Sequence, residues 1–130
     1  MSEASGTFSV VAWDEDTYSE LESGGKLTKA RVTFGFSGDL EAQGEWDAVM
    51  CYGQDGTAAY TGYQRTTGKL DGRTGSFVLR ADGAYESGEA RTNWEVVPGS
   101  ASGELAGLRG SGSSVAGGPG GTFTFEYELA

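Results

Sequence analysis

Polar and apolar residues alternate with a period of two along almost the whole chain, and turn signals interrupt the alternation at fairly even spacing. That pattern suits strands with one buried and one wet face, and helical periodicity is nearly absent. It predicts about eight strands, over residues 6–13, 26–38, 40–53, 57–70, 73–86, 89–98, 109–116 and 121–129. Residues 14–25 read as an acidic connection, and residues 103–108 as a helical turn. Asp55-Gly56 and Asp71-Gly72 suit two-residue hairpin loops, because Asp and Gly tolerate positive φ; Ser87-Gly88 is a third such pair. Consecutive hairpins make a meander, and an open meander exposes two edges that template aggregation. Closing the sheet removes them. The expected fold is all-β, a closed antiparallel up-and-down barrel of about eight strands, in one domain over 1–130. A ring of that size has an interior that side chains fill or that holds one small ligand.

Composition narrows the chemistry. The 130 residues carry a net charge of −10, and the 9 Lys and Arg are scattered. Phosphate backbones and anionic membrane surfaces repel such a surface, so neither nucleic acid nor membrane is an expected partner. No histidine occurs, which removes the commonest base near neutral pH and the commonest transition-metal ligand. Cys51 is the only cysteine, so neither an internal disulfide nor a thiolate zinc site is available. No nucleotide, flavin or metal signature is present, and no cofactor is expected. The start, Met1-Ser2-Glu3-Ala4, lacks the basic and apolar regions of a secretion signal, and a cytoplasmic location is the expectation.

Hairpin register assigns faces. A Ser87-Gly88 loop pairs Ala81 with Trp94 and Leu79 with Val96, and their alternates Arg80, Asp82, Asn93 and Glu95 are polar. Phe77, Leu79, Trp94 and Val96 therefore point inward. An Asp71-Gly72 loop pairs Leu79 with Gln64, so Gln64 and Tyr60 point inward too. A two-residue Asp55-Gly56 loop then pairs Asp47 with Gln64, Val49 with Gly62 and Cys51 with Tyr60, and brings all of these inside. Val32, Phe34, Phe36, Phe123, Phe125, Tyr127 and Leu129 complete the interior. This register sends Trp46, Met50, Tyr52 and Tyr63 outward together. Either they form a surface for self-association, or the loop at Asp71 is one residue longer.

The candidate chemistry follows from those faces. Asp47 inside an aromatic cavity would be desolvated, its pKa raised toward neutrality, and fit to act as a general acid or base. Gln64 and Tyr60 would orient the reacting group. Phe34, Phe36, Val49, Leu79, Trp94 and Phe125 would form the ligand wall. The plainer alternatives are a solvated Asp47 and aromatics, Trp13 included, that are simply core. Asp14-Glu15-Asp16 lacks the spacing and turn glycine of a calcium loop and reads as solvated acid. Arg80 and Glu95 read as a cross-strand surface pair of little energetic weight.

Several segments also carry a resemblance: residues 9–15 (Ser-Val-Val-Ala-Trp-Asp-Glu), 25–30 (Gly-Lys-Leu-Thr-Lys-Ala), 36–41 (Phe-Ser-Gly-Asp-Leu-Glu), 55–58, 70–79 and 94–112. With them the chain resembles, over nearly its whole length, a bacterial family of domains of unknown function, number 3224. The resemblance implies a barrel similar to allene oxide cyclase. Barrels of that broader type include cofactor-free cyclases, which act by restricting the conformation of a substrate in an apolar cavity. The chain departs from the family pattern at Gln64, where relatives often carry Glu, and at Arg80-Ala81, where they often carry Gln-His. The expected function is binding of a small, mostly apolar organic molecule inside the barrel, with cofactor-free cyclisation or isomerisation as its chemistry. A non-catalytic binding or carrier barrel, or an association module with a filled core, are the alternatives.

Overall fold

The computed structural model describes residues 2–118 and 120–129. Met1, Pro119 and Ala130 lie outside the described residues. The strands are β1 (Ser2–Glu20), β2 (Lys26–Gly38), β3 (Leu40–Tyr52), β4 (Ala58–Leu70), β5 (Arg73–Glu86), β6 (Glu89–Val96), a short β7 (Ser102–Gly103), β8 (Arg109–Ala116) and β9 (Gly120–Glu128). Every pairing is antiparallel, in the order β4-β3-β2-β1-β9-β8-β6-β5, and a β4–β5 ladder closes the ring. This is the closed eight-strand barrel expected from the alternation. β7 adds only a two-residue patch beside the start of β5. Among the described residues no helix is long and apolar enough to cross a membrane.

Two of the three hairpin loops fold as read. Asp71 and Gly72 have φ of 49° and 82°, and Ser87 and Gly88 have 54° and 80°. Both central residues are thus left-handed, as the two-residue hairpin that follows strand twist requires. Leu79 accordingly faces Gln64 on one side and Val96 on the other.

The third loop differs, and the difference corrects the site. Gly53 N–H donates to the Thr57 carbonyl at 2.8 Å, leaving three residues, Gln54, Asp55 and Gly56, in the loop. Gly56 takes the left-handed position at φ 87°, the usual end of a three-residue hairpin. Asp55 caps the loop by accepting from Thr57 N–H and Oγ1. One extra loop residue slips β3 against β4 by one and turns β3 over. Trp46, not Asp47, faces Gln64, and Met50, not Cys51, faces Tyr60. Trp46 and Met50 are buried, and Tyr52 is half-buried against the core. Asp47, Val49 and Cys51 lie on the outside. Of the expected association surface, only Tyr63 is exposed.

The first strand is longer than expected. Bulges between Val10 and Ala12 and between Thr17 and Ser19 let β1 run on to Glu20 beside β2. A bulge shifts the inward set by one residue. Phe8 and Val10 face in before the first bulge, and Trp13 and Glu15 after it, so the alternation breaks and residues 14–20 look like loop.

The interior is divided into a plug and a cup. At one end Leu40, Leu70, Phe77, Leu79, Leu105 and Phe125 are each at most 2% exposed. The segment after β6 folds across this end. Its carbonyls and N–H groups make successive i to i+3 turns over 102–108 in place of the helical turn expected there, and it hangs on β5 through Val97 N–Val78 O and Glu104 N–Thr74 O, both 2.9 Å. Leu105 and Leu108 are its buried contributions. At the other end the inward side chains leave space.

The two-residue loops give a direct check. No atom lies within 4 Å of a Cβ built on Gly72, so Gly72→Ala tests backbone strain alone. We expect a loss of about 1–2 kcal/mol, seen as a lower urea midpoint at unchanged slope. An unchanged midpoint would rule out the left-handed turn.

Candidate functional site

The cup is a cavity of about 290 Å³ inside the end formed by the C-terminal parts of β3, β5 and β8 and the N-terminal parts of β4 and β6. That lies near the lower bound of cavities that hold small ligands, ~300 Å³. Its inner end is set by Phe36, Gln64 and Trp94. These abut the plug: Gln64 faces Leu79 across the ladder, and Trp94 stacks on Phe123 with centroids 5.5 Å apart. Its walls are Phe8, Phe34, Trp46, Met50 and Tyr60 with several alanines. Edge-to-face contacts of Phe8 on Phe34 (5.8 Å) and Trp46 on Tyr60 (5.3 Å) fix the ring planes. Trp13, 50% exposed, and Tyr85, 43% exposed, line its outer rim.

Among the described residues no charged side chain lines the cavity. Its polar groups are few and mostly engaged. Tyr60 Oη and Thr92 Oγ1 share a hydrogen bond of 2.9 Å. Burial raises the Tyr60 pKa, with the Thr92 contact opposing it, so the phenol stays protonated. Gln64 Nε2 donates to Thr66 Oγ1 at 3.0 Å. The amide sits where a Cβ on Gly44 would be, 2.7 Å from Nε2, so a glycine at 44 makes room for it. Trp46 Nε1 is buried and has no hydrogen-bond partner among the described residues. A buried donor in that state costs about 1–3 kcal/mol.

Of the residues expected to form the site, the structure brings Gln64, Tyr60, Phe34, Phe36 and Trp94 to the cavity. Leu79 and Phe125 point inward but belong to the plug. Asp47 and Val49 are outside. Asp47 accepts from Arg31 Nε at 2.7 Å and Nη2 at 2.9 Å on the wet face. The Arg31 guanidinium holds its carboxyl below the usual carboxylate range, the reverse of the raised pKa expected for an interior acid. The proposed acid/base role rested on the wrong face and falls with it. Arg80 and Glu95 do pair across strands, 3.3 Å apart and exposed.

An inward carboxylate exists elsewhere, near the mouth: Glu15, missed because the bulge hid its strand. Glu15 accepts from Thr28 Oγ1 at 2.5 Å, Tyr52 Oη at 2.6 Å and Trp13 Nε1 at 2.9 Å. It ties β1, β2 and β3 together and holds the rim residue Trp13. Burial pushes its pKa up, but the three hydrogen bonds and nearby Lys26 outweigh this, and the carboxyl sits below its ordinary value. Burial and then Glu15 push the Tyr52 phenol up in turn. No signal short of placing the bulge identifies Glu15 from sequence.

The model of a family described as "Protein of unknown function (DUF3224)" matches residues 4–127. The fold is similar to the crystal structure of a protein with unknown function from that family from Shewanella oneidensis. The two are 29% identical with a TM-score of 0.82, over 100% of this chain and 98% of that one. No curated protein matches.

The Glu15 cluster predicts a pH dependence. A carboxyl whose folded pKa is depressed stabilises the fold above its unfolded value, about 4.3, and that contribution is lost as pH falls through the folded pKa. Between roughly pH 5 and pH 3 the wild type should lose more stability than Glu15→Gln, other carboxylates contributing alike to both. Parallel denaturation profiles of the two proteins would dismiss the cluster as a stabilising element.

Proposed function

The chain belongs to the DUF3224 family, and we propose that its barrel is a receptacle for one small, neutral, mostly apolar organic molecule held in the cup. The observation that carries this reading is the cavity itself, about 290 Å³ with aromatic and aliphatic walls and no charged residue among the described residues that line it. A side-chain-filled barrel of this size leaves no such space, and the plug at the opposite end is what a filled interior looks like. Charge selects for a neutral occupant. A buried anion or cation would meet no partner in the walls and would bear its full desolvation cost. The acidic exterior, −10 in net charge, further disfavours anions.

The same walls limit the chemistry. No histidine occurs in the chain, no carboxylate or lysine is among the described residues that line the cavity, and the Tyr60 phenol is held protonated. The nearest carboxylate, Glu15 at the mouth, is tied up by three hydrogen bonds and held below its ordinary pKa, which makes it a weak base. What the cup can give a bound molecule is shape, dryness and a few hydrogen bonds. Binding is therefore favoured over acid–base catalysis, and any reaction would proceed by conformational restriction.

A neutral apolar fluorophore, N-phenyl-1-naphthylamine, tests this. It should brighten on binding wild type. Ala90→Phe places a ring in the cavity from a half-buried wall position, and should weaken the probe at least about tenfold, or ~1.4 kcal/mol. No brightening with wild type would favour a closed, filled barrel. Equal binding to both proteins would move the binding place out of the cup.

A further inference from the structure

We infer that the molecule held in the cup carries a neutral hydrogen-bond donor, an O–H or N–H group, and that Gln64 Oε1 is the acceptor that selects it. The inference rests on the cup being a binding cavity and adds the chemical class of the ligand. Gln64 is 3% exposed and sets the inner end of the cavity. Its amide is held by the nitrogen: Nε2 donates to Oγ1 of the fully buried Thr66 at 3.0 Å and lies over Gly44. The oxygen has no hydrogen-bond partner among the described residues. Nor is it sealed, because the sealed and unpartnered side-chain polar atom among the described residues is Trp46 Nε1 alone. The surface that Oε1 keeps opens to the cavity its residue lines. Polar side-chain atoms this deep normally find a partner. An ordered water needs two to four polar partners. Phe36 and Trp94 at that end of the cavity and Trp46 across the ladder present rings, which hold a water poorly. A donor delivered on an apolar carrier satisfies Oε1 while the carrier's carbon surface meets the aromatic walls.

Gln64 is the group that gives the cup a preference between donors and acceptors. Tyr60 Oη and Thr92 Oγ1 satisfy each other, and Trp46 Nε1 is sealed. Ser114, buried in the cavity wall on β8, is a hydroxyl that turns to donate or accept as an occupant requires. An amide oxygen only accepts, so its demand has one sense. A ketone or ester would set oxygen against oxygen there. An ammonium group would donate, but as a cation among walls whose described residues include no carboxylate. An alcohol, a phenol or a neutral N–H meets both conditions. Gln64 is thus a specificity-determining residue: it separates donor-bearing molecules from carbonyl compounds of the same shape.

The matched probes are 1-(2-naphthyl)ethanol and 2-acetylnaphthalene, both polar and nearly equal in shape, of which only the alcohol donates. Calorimetric titration should show wild type binding the better enantiomer of the alcohol at least about tenfold more tightly, since the ketone leaves a buried acceptor unpaired. Gln64→Met keeps the side chain's length without its amide and should bind the two alike. Binding of 2-ethylnaphthalene to this variant reports that the cup is intact. In wild type the Gln64 Cδ signal, assigned through its own side chain, should move downfield with the alcohol and stay with the hydrocarbon. That readout does not depend on the variant folding. Wild-type affinity for the ketone equal to or above that for the alcohol would overturn the donor class and leave the cup standing as a binding site. An alcohol preference that survives in Gln64→Met, or an unmoved Cδ signal, would take the role away from Gln64. Binding of none of the three probes to wild type would overturn both the inference and the cavity reading beneath it.

Discussion

In a closed ring of strands, no strand chooses its inward face independently. Each must agree with both neighbours, all the way round. The two-residue loop at Asp71 and Gly72 fixes Gln64 opposite Leu79, and Leu79 is core. Gln64 is therefore interior, and whatever faces it from β3 must be interior too. That residue is Trp46. The alternative parity would bury the Asp47 carboxylate and the Cys51 thiol while leaving Trp46 and Met50 in water. Burying a carboxylate away from its Arg31 partner costs several kcal/mol, and exposing two large apolar side chains forfeits about 1.5–3 kcal/mol each. The aromatic cup and the outward ion pair are two faces of that one constraint.

The fold was legible because alternation and turn chemistry agree with each other over most of the chain. Asp71-Gly72 and Ser87-Gly88 yield the correct register for β4, β5 and β6 with no further information. Asp55-Gly56 looks the same in sequence and is not, because a glycine in the left-handed conformation closes both two-residue and three-residue hairpins. The deciding signal was in β3 itself. Glu41, Glu45 and Asp47 occupy one parity, and Leu40, Trp46, Ala48 and Met50 the other. A strand's own charge pattern outweighs a turn count, since loops gain a residue at little cost and buried carboxylates do not come cheaply.

The site was legible only in part, for a related reason. Phe34, Phe36, Tyr60, Gln64 and Trp94 lie on strands whose alternation is unbroken, and they reach the cavity. Leu79 and Phe125 share the same inward faces but lie deeper. Pattern gives the face of a residue and not its depth along the barrel axis, which follows from strand tilt. Glu15 lay beyond a bulge, where period-two reading fails by construction.

The division into plug and cup explains how one barrel end stays unfilled without collapse. The plug concentrates buried leucine and phenylalanine side chains under the segment after β6 in one contiguous core. The cup is lined instead by rings that brace one another edge to face, Phe36 against Trp94 at 88° and Trp46 against Tyr60 at 83°. Such contacts hold large planar groups apart rather than letting them fold inward. The Glu15 bonds to Thr28, Tyr52 and Trp13 do the same near the mouth with directional bonds. A cavity kept open by braced rings and a tied rim is pre-organised: its occupant does not have to order the walls, and its binding free energy is not spent on doing so. The unpartnered Trp46 N–H fits this picture. A wall free to relax would turn the indole until its donor met a hydroxyl or a carbonyl. Held between Tyr60 and Phe34, it does not, and the donor stays directed by the packing that surrounds it.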